Sequence, residues 1–373
     1  MLRRHWQKLN LVGHSRYIKD LETNNDSVLQ RLPELSLGAA RYRLGDTPYY
    51  VGLESYATRF WSEGGHDDGE RLYLKPSLSA VYKPGSWLEI VPQVALYERL
   101  YSADSDDEES FVPEFSLSLA TRLVKSFETS LWGLDRVQHS VEPKITYSYV
   151  PHEYQGGLPY FDELDRVERQ NDVSYVLVNR LTGRSLAADG SLVYRDLFNL
   201  RISQSYNIDE ARNNRSGADR PFSDALVEMD FQPPHRVSFD AKSQVPVYGT
   251  TRFHRLSAGM KVSDDDGNAA AVNYSYKEEG FEDVATDYAG IKLSTSILKP
   301  VYVKFEERYD FRDNRELEQA VGLEYRSKCW GLLLTYRNRY RDGGDDDQEV
   351  MLSFVLAGLG QNLGSRGEFS ALH

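Results

Sequence analysis

Few residues in this chain have the types and spacing for bond chemistry. His139 stands next to Ser140, and His254 is a second isolated imidazole. A histidine beside a hydroxyl or carboxylate at the rim of an outer-membrane barrel is the material of a hydrolase, with the imidazole as general base. Adjacency along the chain does not supply that geometry. The eight histidines are scattered, none at metal-ligand spacing from another histidine or from the single cysteine, Cys329. Asp264-Asp265-Asp266-Gly267-Asn268 has the opening of a calcium loop without its closing glutamate, so a hairpin turn is expected there. The acidic runs 104–109 and 345–347 carry charge suited to divalent cations, but their composition is that of solvated loops. The expectation is no catalytic residue, no metal site and no cofactor.

The surrounding composition narrows the class further. The 373 residues carry a net charge of -13, which excludes nucleic acid as a partner because phosphate binding needs basic surface. Mean hydropathy is -0.56, and no run approaches the roughly 18 apolar residues of a membrane helix. One cysteine cannot form a disulfide within the chain. Tyrosine, at 25 residues, outnumbers phenylalanine at 15; it favours strands and positions dry at one end and wet at the other. The opening residues, Met1-Leu2-Arg3-Arg4-His5-Trp6-Gln7-Lys8, lead into no apolar signal-peptide core. An exported chain of this kind is expected to be part of a longer product.

What must position any functional residue is a set of strands. The dominant hydrophobic period is two. Trp330, Leu332, Leu334 and Tyr336 alternate with Gly331, Leu333, Thr335 and Arg337; Val301, Val303 and Phe305 alternate with Tyr302, Lys304 and Glu306. About eighteen strands are predicted, the first over 5–20, the last over 347–356, with 110–123 and 138–149 joined by a long connection. At about 11–16 residues they exceed ordinary globular strands and suit a tilted membrane crossing. Short connections such as 43–47, 83–86, 233–235, 264–268 and 298–300 alternate with longer acidic ones at 62–69, 102–109, 151–171, 209–220 and 342–346. The fold class is therefore all-β, an antiparallel transmembrane β-barrel of about eighteen strands.

Two local features stand out. The connection after Pro151 mixes Tyr154, Tyr160, Phe161 and Leu164 with acids. It is long for a structureless loop, so it is expected to fold inward or cap the pore. Five prolines, Pro33, Pro76, Pro92, Pro113 and Pro143, lie inside strand-like runs. They are expected at bulges that bend long strands.

Several segments resemble the LptD family of outer-membrane lipopolysaccharide-assembly proteins. They are Val28-Leu29-Gln30-Arg31-Leu32-Pro33-Glu34-Leu35-Ser36-Leu37, Gln138-His139-Ser140-Val141-Glu142-Pro143-Lys144-Ile145-Thr146-Tyr147-Ser148-Tyr149-Val150-Pro151, Leu158-Pro159-Tyr160-Phe161-Asp162-Glu163-Leu164-Asp165-Arg166-Val167, the run 171–181, Tyr325-Arg326-Ser327-Lys328-Cys329-Trp330-Gly331-Leu332 and the run 354–360. The resemblance implies that residues 1–373 are the C-terminal portion of a larger barrel, with the signal peptide and the N-terminal periplasmic β-jelly-roll domain absent. It implies lipopolysaccharide as cargo, outer-membrane lipids around the barrel, an LptE-like plug lipoprotein and an LptA-like periplasmic bridge. It also implies lipid exit between first and last strands, the last carrying Val350, Leu352, Phe354 and Leu356. Cys329 matches the place of a cysteine that pairs with one in the family's N-terminal region, although some members have two adjacent cysteines there. The expected function is translocation and insertion of lipopolysaccharide at the outer membrane, without catalysis. The rivals are a substrate-specific porin, a barrel hydrolase and a secreted β-rich adhesin.

Overall fold

The computed structural model describes residues 2–6, 9–19, 28–62, 68–103, 107–187, 189–214, 217, 219–234, 236–249, 251–280, 285–296, 298–327, 329–340 and 346–356. Of the expected features, the acidic residues 104–106 and 345, the interior of the 62–69 connection, the loop 342–345 and the final run 357–360 lie outside them.

Among the described residues the protein is all-β, with twenty strands in antiparallel pairing, and it divides into two compact units. The first comprises Met1–Arg122, Pro143–Tyr175 and Ser205–Phe222. In it β1 (Leu2–Trp6), β2 (Leu9–Arg16), β3 (Gln30–Arg43), β4 (Tyr49–Trp61), β5 (Gly69–Ala80), β6 (Leu88–Ala103) and β7 (Asp107–Thr121) pair in chain order as a meander. The second comprises Leu123–Glu142, Val176–Gln204 and Ser223–His373. It holds β8 (Leu123–Glu128), then β12 (Ala225–Phe231), β13 (Val237–Val245), β14 (Arg255–Ser263), β15 (Ala269–Lys277), β16 (Thr286–Thr295), β17 (Val301–Asp310), β18 (Arg315–Arg326), β19 (Trp330–Arg339) and β20 (Asp347–Leu356), the last nine again meandering. Strands β9 (Arg136–Val150), β10 (Gln170–Leu186) and β11 (Leu192–Asn207) contribute residues to both units.

The count exceeds eighteen for two reasons. The strand expected over 5–20 is instead the hairpin β1–β2, paired from Leu2 with Gly13 to Trp6 with Leu9. The long connection expected after residue 123 begins with β8, whose six residues are all exposed and so leave no one-sided pattern. β8 pairs with β9 between Arg136 and Val141, while β7 pairs with β9 between Lys144 and Tyr149.

Each unit sorts its side chains by face. In β7, Phe111, Phe115 and Leu119 are exposed, whereas Ser110 and Val112 between and beside them are buried. In β5, Leu72 and Leu78 are exposed while Arg71, Tyr73 and Ser79 are buried. In β19, Leu334 is 41% exposed and Trp330 and Tyr336 nearly as much, against 2% for Thr335 and 7% for Arg337. Rows of apolar side chains thus lie on the open face, and ions and hydroxyls lie packed on the other. Water would drive the opposite arrangement, so the open face is built for hydrocarbon.

The prolines divide. Pro33 sits at a register shift of the β3–β4 ladder between Arg31 and Glu34, as expected of a bulge. Pro143 falls between the stretches of β9 that pair with β7 and with β8. Pro76, Pro92 and Pro113 instead stand in unbroken register opposite Leu53, Leu117 and Leu96, which corrects the bulge expectation there. A strand N–H points to only one neighbour, so each proline deprives a single ladder of a donor. The β5–β6 ladder accordingly skips Lys75 and Pro76.

The face assignment is testable at adjacent residues of β7. Phe115→Arg is expected to cost about 2–4 kcal/mol by placing charge on the hydrocarbon face. Ser116→Arg, on the polar face, is expected to leave folding nearly intact. The folded fraction is read from heat-modifiable gel migration.

Candidate functional site

The most elaborated polar structure lies within the first unit, where residues 151–169 between β9 and β10 are fastened onto the polar face of β3–β6. The local sequence organises the loop first. Asp162 caps a single turn, Glu163–Asp165, its Oδ1 accepting from the Leu164 amide at 2.9 Å. The Asp165 Oδ2 reaches back to accept from the Phe161 and Asp162 amides at 2.7 and 2.8 Å, closing a capping box. That leaves both carboxylates aimed together at the sheet.

The sheet answers with three arginines. Arg71 of β5, 2% exposed, donates through Nη1 to Asp162 Oδ1 at 2.5 Å and to Asp165 Oδ1 at 2.7 Å, and through Nη2 to Asp162 Oδ2 at 3.0 Å. Arg31 of β3 adds a contact to Asp162 Oδ2 at 3.0 Å. Tyr101 of β6 donates to Asp165 Oδ1 at 2.8 Å, so this fully buried carboxylate receives donors at both oxygens. Arg99 of β6, also fully buried, donates to the Asp165 carbonyl at 2.7 Å, to Gln155 Oε1 at 3.0 Å and to Ser110 Oγ at 2.7 Å. Gln155 pairs with both backbone groups of Val167, tying the two arms of the loop together.

Apolar packing completes the latch. Phe161 stacks on Phe60 of β4 with centroids 4.2 Å apart and planes 9° from parallel, and the Arg71 guanidinium lies 5.0 Å from the Phe60 ring. Residue 69 has to be glycine for this: a Cβ there would stand 2.8 Å from the Phe161 ring. At its far end the loop is held again, by Arg169 Nε to Asp209 Oδ2 at 2.5 Å and Asn171 to Asp209 Oδ1 at 3.1 Å. Asp209 belongs to α1 (Ile208–Asn213), which Asn207 caps by accepting from the Glu210 amide.

Burial alone would raise the Asp162 carboxyl, but its hydrogen bonds and charge pairing with Arg71, the Leu164 amide and Arg31 outweigh it and hold it below the ordinary carboxylate value. A carboxyl lowered in the folded state stabilises fully above its unfolded value, and the stabilisation is lost as pH falls through the lowered one. The latch is therefore intact at neutral pH and weakens only in acid.

The loop expected to fold inward does so, and Phe161 and Leu164 are packed while Tyr154 and Tyr160 remain exposed. Sequence reasoning missed Arg31, Phe60, Arg71, Arg99 and Tyr101. The available signal was a charged or aromatic residue at polar-face positions of the alternation, which does not reveal a partner dozens of residues away. Among the described residues, the two histidines considered for hydrolysis, His139 and His254, do not meet a serine nucleophile. Ser140 donates to Glu142, and His139 is its neighbour in an extended strand. His254 has Nδ1 at 2.6 Å from Asp224 and Nε2 at 3.3 Å from Glu278, so carboxylates meet both nitrogens. Asp264–Asn268 is the expected turn, with the Asp264 amide donating to the Asn268 carbonyl. No metal-binding cluster occurs among the described residues. Cys329 is exposed in the β18–β19 turn, and Val350, Leu352, Phe354 and Leu356 line the exposed face of β20, paired with β19.

The family model described as LPS transport system D matches residues 1–295, most of the chain and the whole of the latched loop. The chain belongs to the LptD family. Its fold class, accordingly, is the antiparallel transmembrane barrel that the two-faced strands suggest. The LPS-assembly protein LptD of Chromohalobacter salexigens is 27% identical over 421 residues, covering 90% of this chain and 49% of that protein. The LptD of Vibrio cholerae is 22% identical over 390 residues, covering 90% and 47%. The chain thus spans about half the length of the curated LptD relatives it matches. A ferric enterobactin receptor mutant from Pseudomonas aeruginosa overlaps 93% of this chain and 67% of its own at 9% identity and a TM-score of 0.35, too slight a likeness to carry an argument.

Removing the guanidinium tests the latch in this LptD chain. Arg71→Ala leaves the Asp165 carboxylate buried without its charge partner, a cost of about 3–5 kcal/mol. Limited proteolysis of the purified protein is expected to cut within 151–169 much faster than in wild type. Asp162→Ala, which spares Asp165, should accelerate cutting less. Wild-type cutting should itself quicken only when the pH drops below the ordinary carboxylate range. An Arg71→Ala protein cut no faster than wild type would refute the latch.

Proposed function

We propose that this chain is the C-terminal barrel portion of a protein that translocates lipopolysaccharide and inserts it into the outer leaflet of the Gram-negative outer membrane. The observation that carries the reading is the family match over residues 1–295, joined by relatives named LPS-assembly protein LptD. The geometry supports it: an apolar open face suits integration in lipid, and a charged opposite face, partly covered by the latched loop, suits contact with water. No bond chemistry is required. A substrate-specific porin would share the two-faced strands, but the family match favours assembly.

In this reading the cargo enters from an LptA-like periplasmic bridge, past an LptE-like lipoprotein seated inside the barrel. The lipid part leaves sideways at the last strand, where Val350, Leu352, Phe354 and Leu356 of β20 present apolar side chains to it. Cys329, exposed in its turn, pairs with a cysteine of the N-terminal region of the whole protein and ties the barrel to the preceding jelly roll.

Depletion of the protein is expected to lower surface lipopolysaccharide; unchanged surface levels would overturn the assignment. The exit is tested separately with a photo-crosslinking residue. At Leu352 it should capture lipopolysaccharide in living cells, and at Phe111 of β7, comparably exposed but far from the last strand in sequence, it should not.

A further inference from the structure

The latched loop does not lie flush on the sheet. Within the first unit a cavity of about 490 Å³ separates them, between Tyr73 of β5 and Tyr97 of β6 on one side and Glu163, Arg166, Glu168 and Arg169 on the other. That volume lies in the range of about 300–1,000 Å³ that small-molecule sites occupy.

Its chemistry follows from counting which polar groups are already engaged. Arg166 donates to the carbonyls of Pro159, Asp165 and Leu158 at 2.9–3.0 Å and lies over the Tyr160 ring. Arg169 is paired with Asp209. The Tyr97 hydroxyl accepts from Lys75 at 2.7 Å, and Lys75 is itself paired with Glu114 at 2.8 Å. Every cation at or behind the cavity therefore has its partner within the fold. The remaining groups differ. Tyr73 is 3% exposed, lines the cavity, and its hydroxyl has no hydrogen-bond partner among the described residues. A buried polar group left unpaired calls for a ligand or a water. The carboxylates of Glu163 and Glu168, at exposed positions of the lining, are likewise without partners among the described residues.

A guest that fits must donate several hydrogen bonds, tolerate an aromatic neighbour and carry no negative charge. Phosphate is disfavoured, because the charges of Arg166 and Arg169 are already engaged within the fold and two carboxylates repel it. A neutral polyhydroxylated ring satisfies all three demands. We infer that the cavity between the latched loop and the strand wall is a subsite for one or two neutral sugar residues, held by the Tyr73 hydroxyl and the carboxylates of Glu163 and Glu168. The inference rests on the proposed lipopolysaccharide role only for the source of the sugar, the saccharide part of the cargo as opposed to a free sugar.

The test is saturation-transfer NMR on the full-length protein purified in detergent. The probes are methyl α-glucopyranoside, glucose 6-phosphate, magnesium chloride and a saccharide released from lipopolysaccharide and freed of phosphate. Signal is expected from the neutral glucoside and, more strongly, from the dephosphorylated saccharide, and none from the phosphate ester. Glu163→Ala/Glu168→Ala should weaken binding by about tenfold and Tyr73→Phe by about threefold, through loss of hydrogen bonds with the latch untouched. Proteolysis of 151–169 at the wild-type rate checks that the variants keep the latch. Stronger binding of the phosphate ester, displacement of the sugar by magnesium, or full binding by the double variant would overturn the subsite. A glucoside signal equal to that of the released saccharide would overturn its assignment to the cargo. Because the measurement involves no transport, its failure leaves the depletion result standing, and unchanged surface lipopolysaccharide on depletion leaves sugar binding standing.

Discussion

Hydrocarbon offers no hydrogen bonds, so every backbone N–H and C=O that enters a membrane must find its partner in protein. The remaining features of this chain follow from that constraint. Antiparallel meanders satisfy it with the least chain, since each strand pairs with its neighbour through a short turn. Once the backbone is committed to strands, side chains alternate between faces. Leu72, Leu78, Phe111, Phe115 and Leu334 then meet lipid, while Arg71, Tyr73, Ser110 and Arg337 are turned the other way. The low mean hydropathy belongs to the second face, which is why a membrane protein can read as polar.

A polar face creates its own difficulty. Arginines set in a wall and covered by a loop lose their water, and an unpaired buried guanidinium is costly. Here the covering loop supplies the compensation. Its capping box holds Asp162 and Asp165 in a fixed relation before they meet the sheet, so less conformational freedom is lost on docking. The Phe60–Phe161 stack then shields the ion pairs from competing solvent. Charge, cap and ring support one another, and each loses much of its value without the others.

The histidines that invited a chemical reading are engaged with carboxylates or isolated along a strand. What remains is an assembly of hydrogen-bond acceptors and tyrosines beside a loop that is strongly held yet not continuous with the sheet. Such a site can recognise hydroxyl-rich cargo and release it, because its contacts are individually modest.

The alternation of apolar and polar residues, the length of the strands and the alternation of short and long connections pointed by themselves to an antiparallel membrane barrel, since all three are local properties of the chain. The segments 28–37, 138–151 and 158–167 were sufficient to suggest the family, and the aromatic and acidic content of 151–170 to suggest an inward loop. Strand number was less legible, because β8 is exposed along its whole length and one run of alternation folds back as the hairpin β1–β2. Prolines misled for a related reason: sequence shows the missing N–H but not which neighbouring ladder it faces. Only the tertiary structure decided that Arg71 and Arg99 grip Asp165, that Gly69 makes room for Phe161, and that Tyr73 is left without a partner. Those pairings join residues dozens of positions apart, and their identity depends on register and on how a loop docks, neither of which a local pattern encodes.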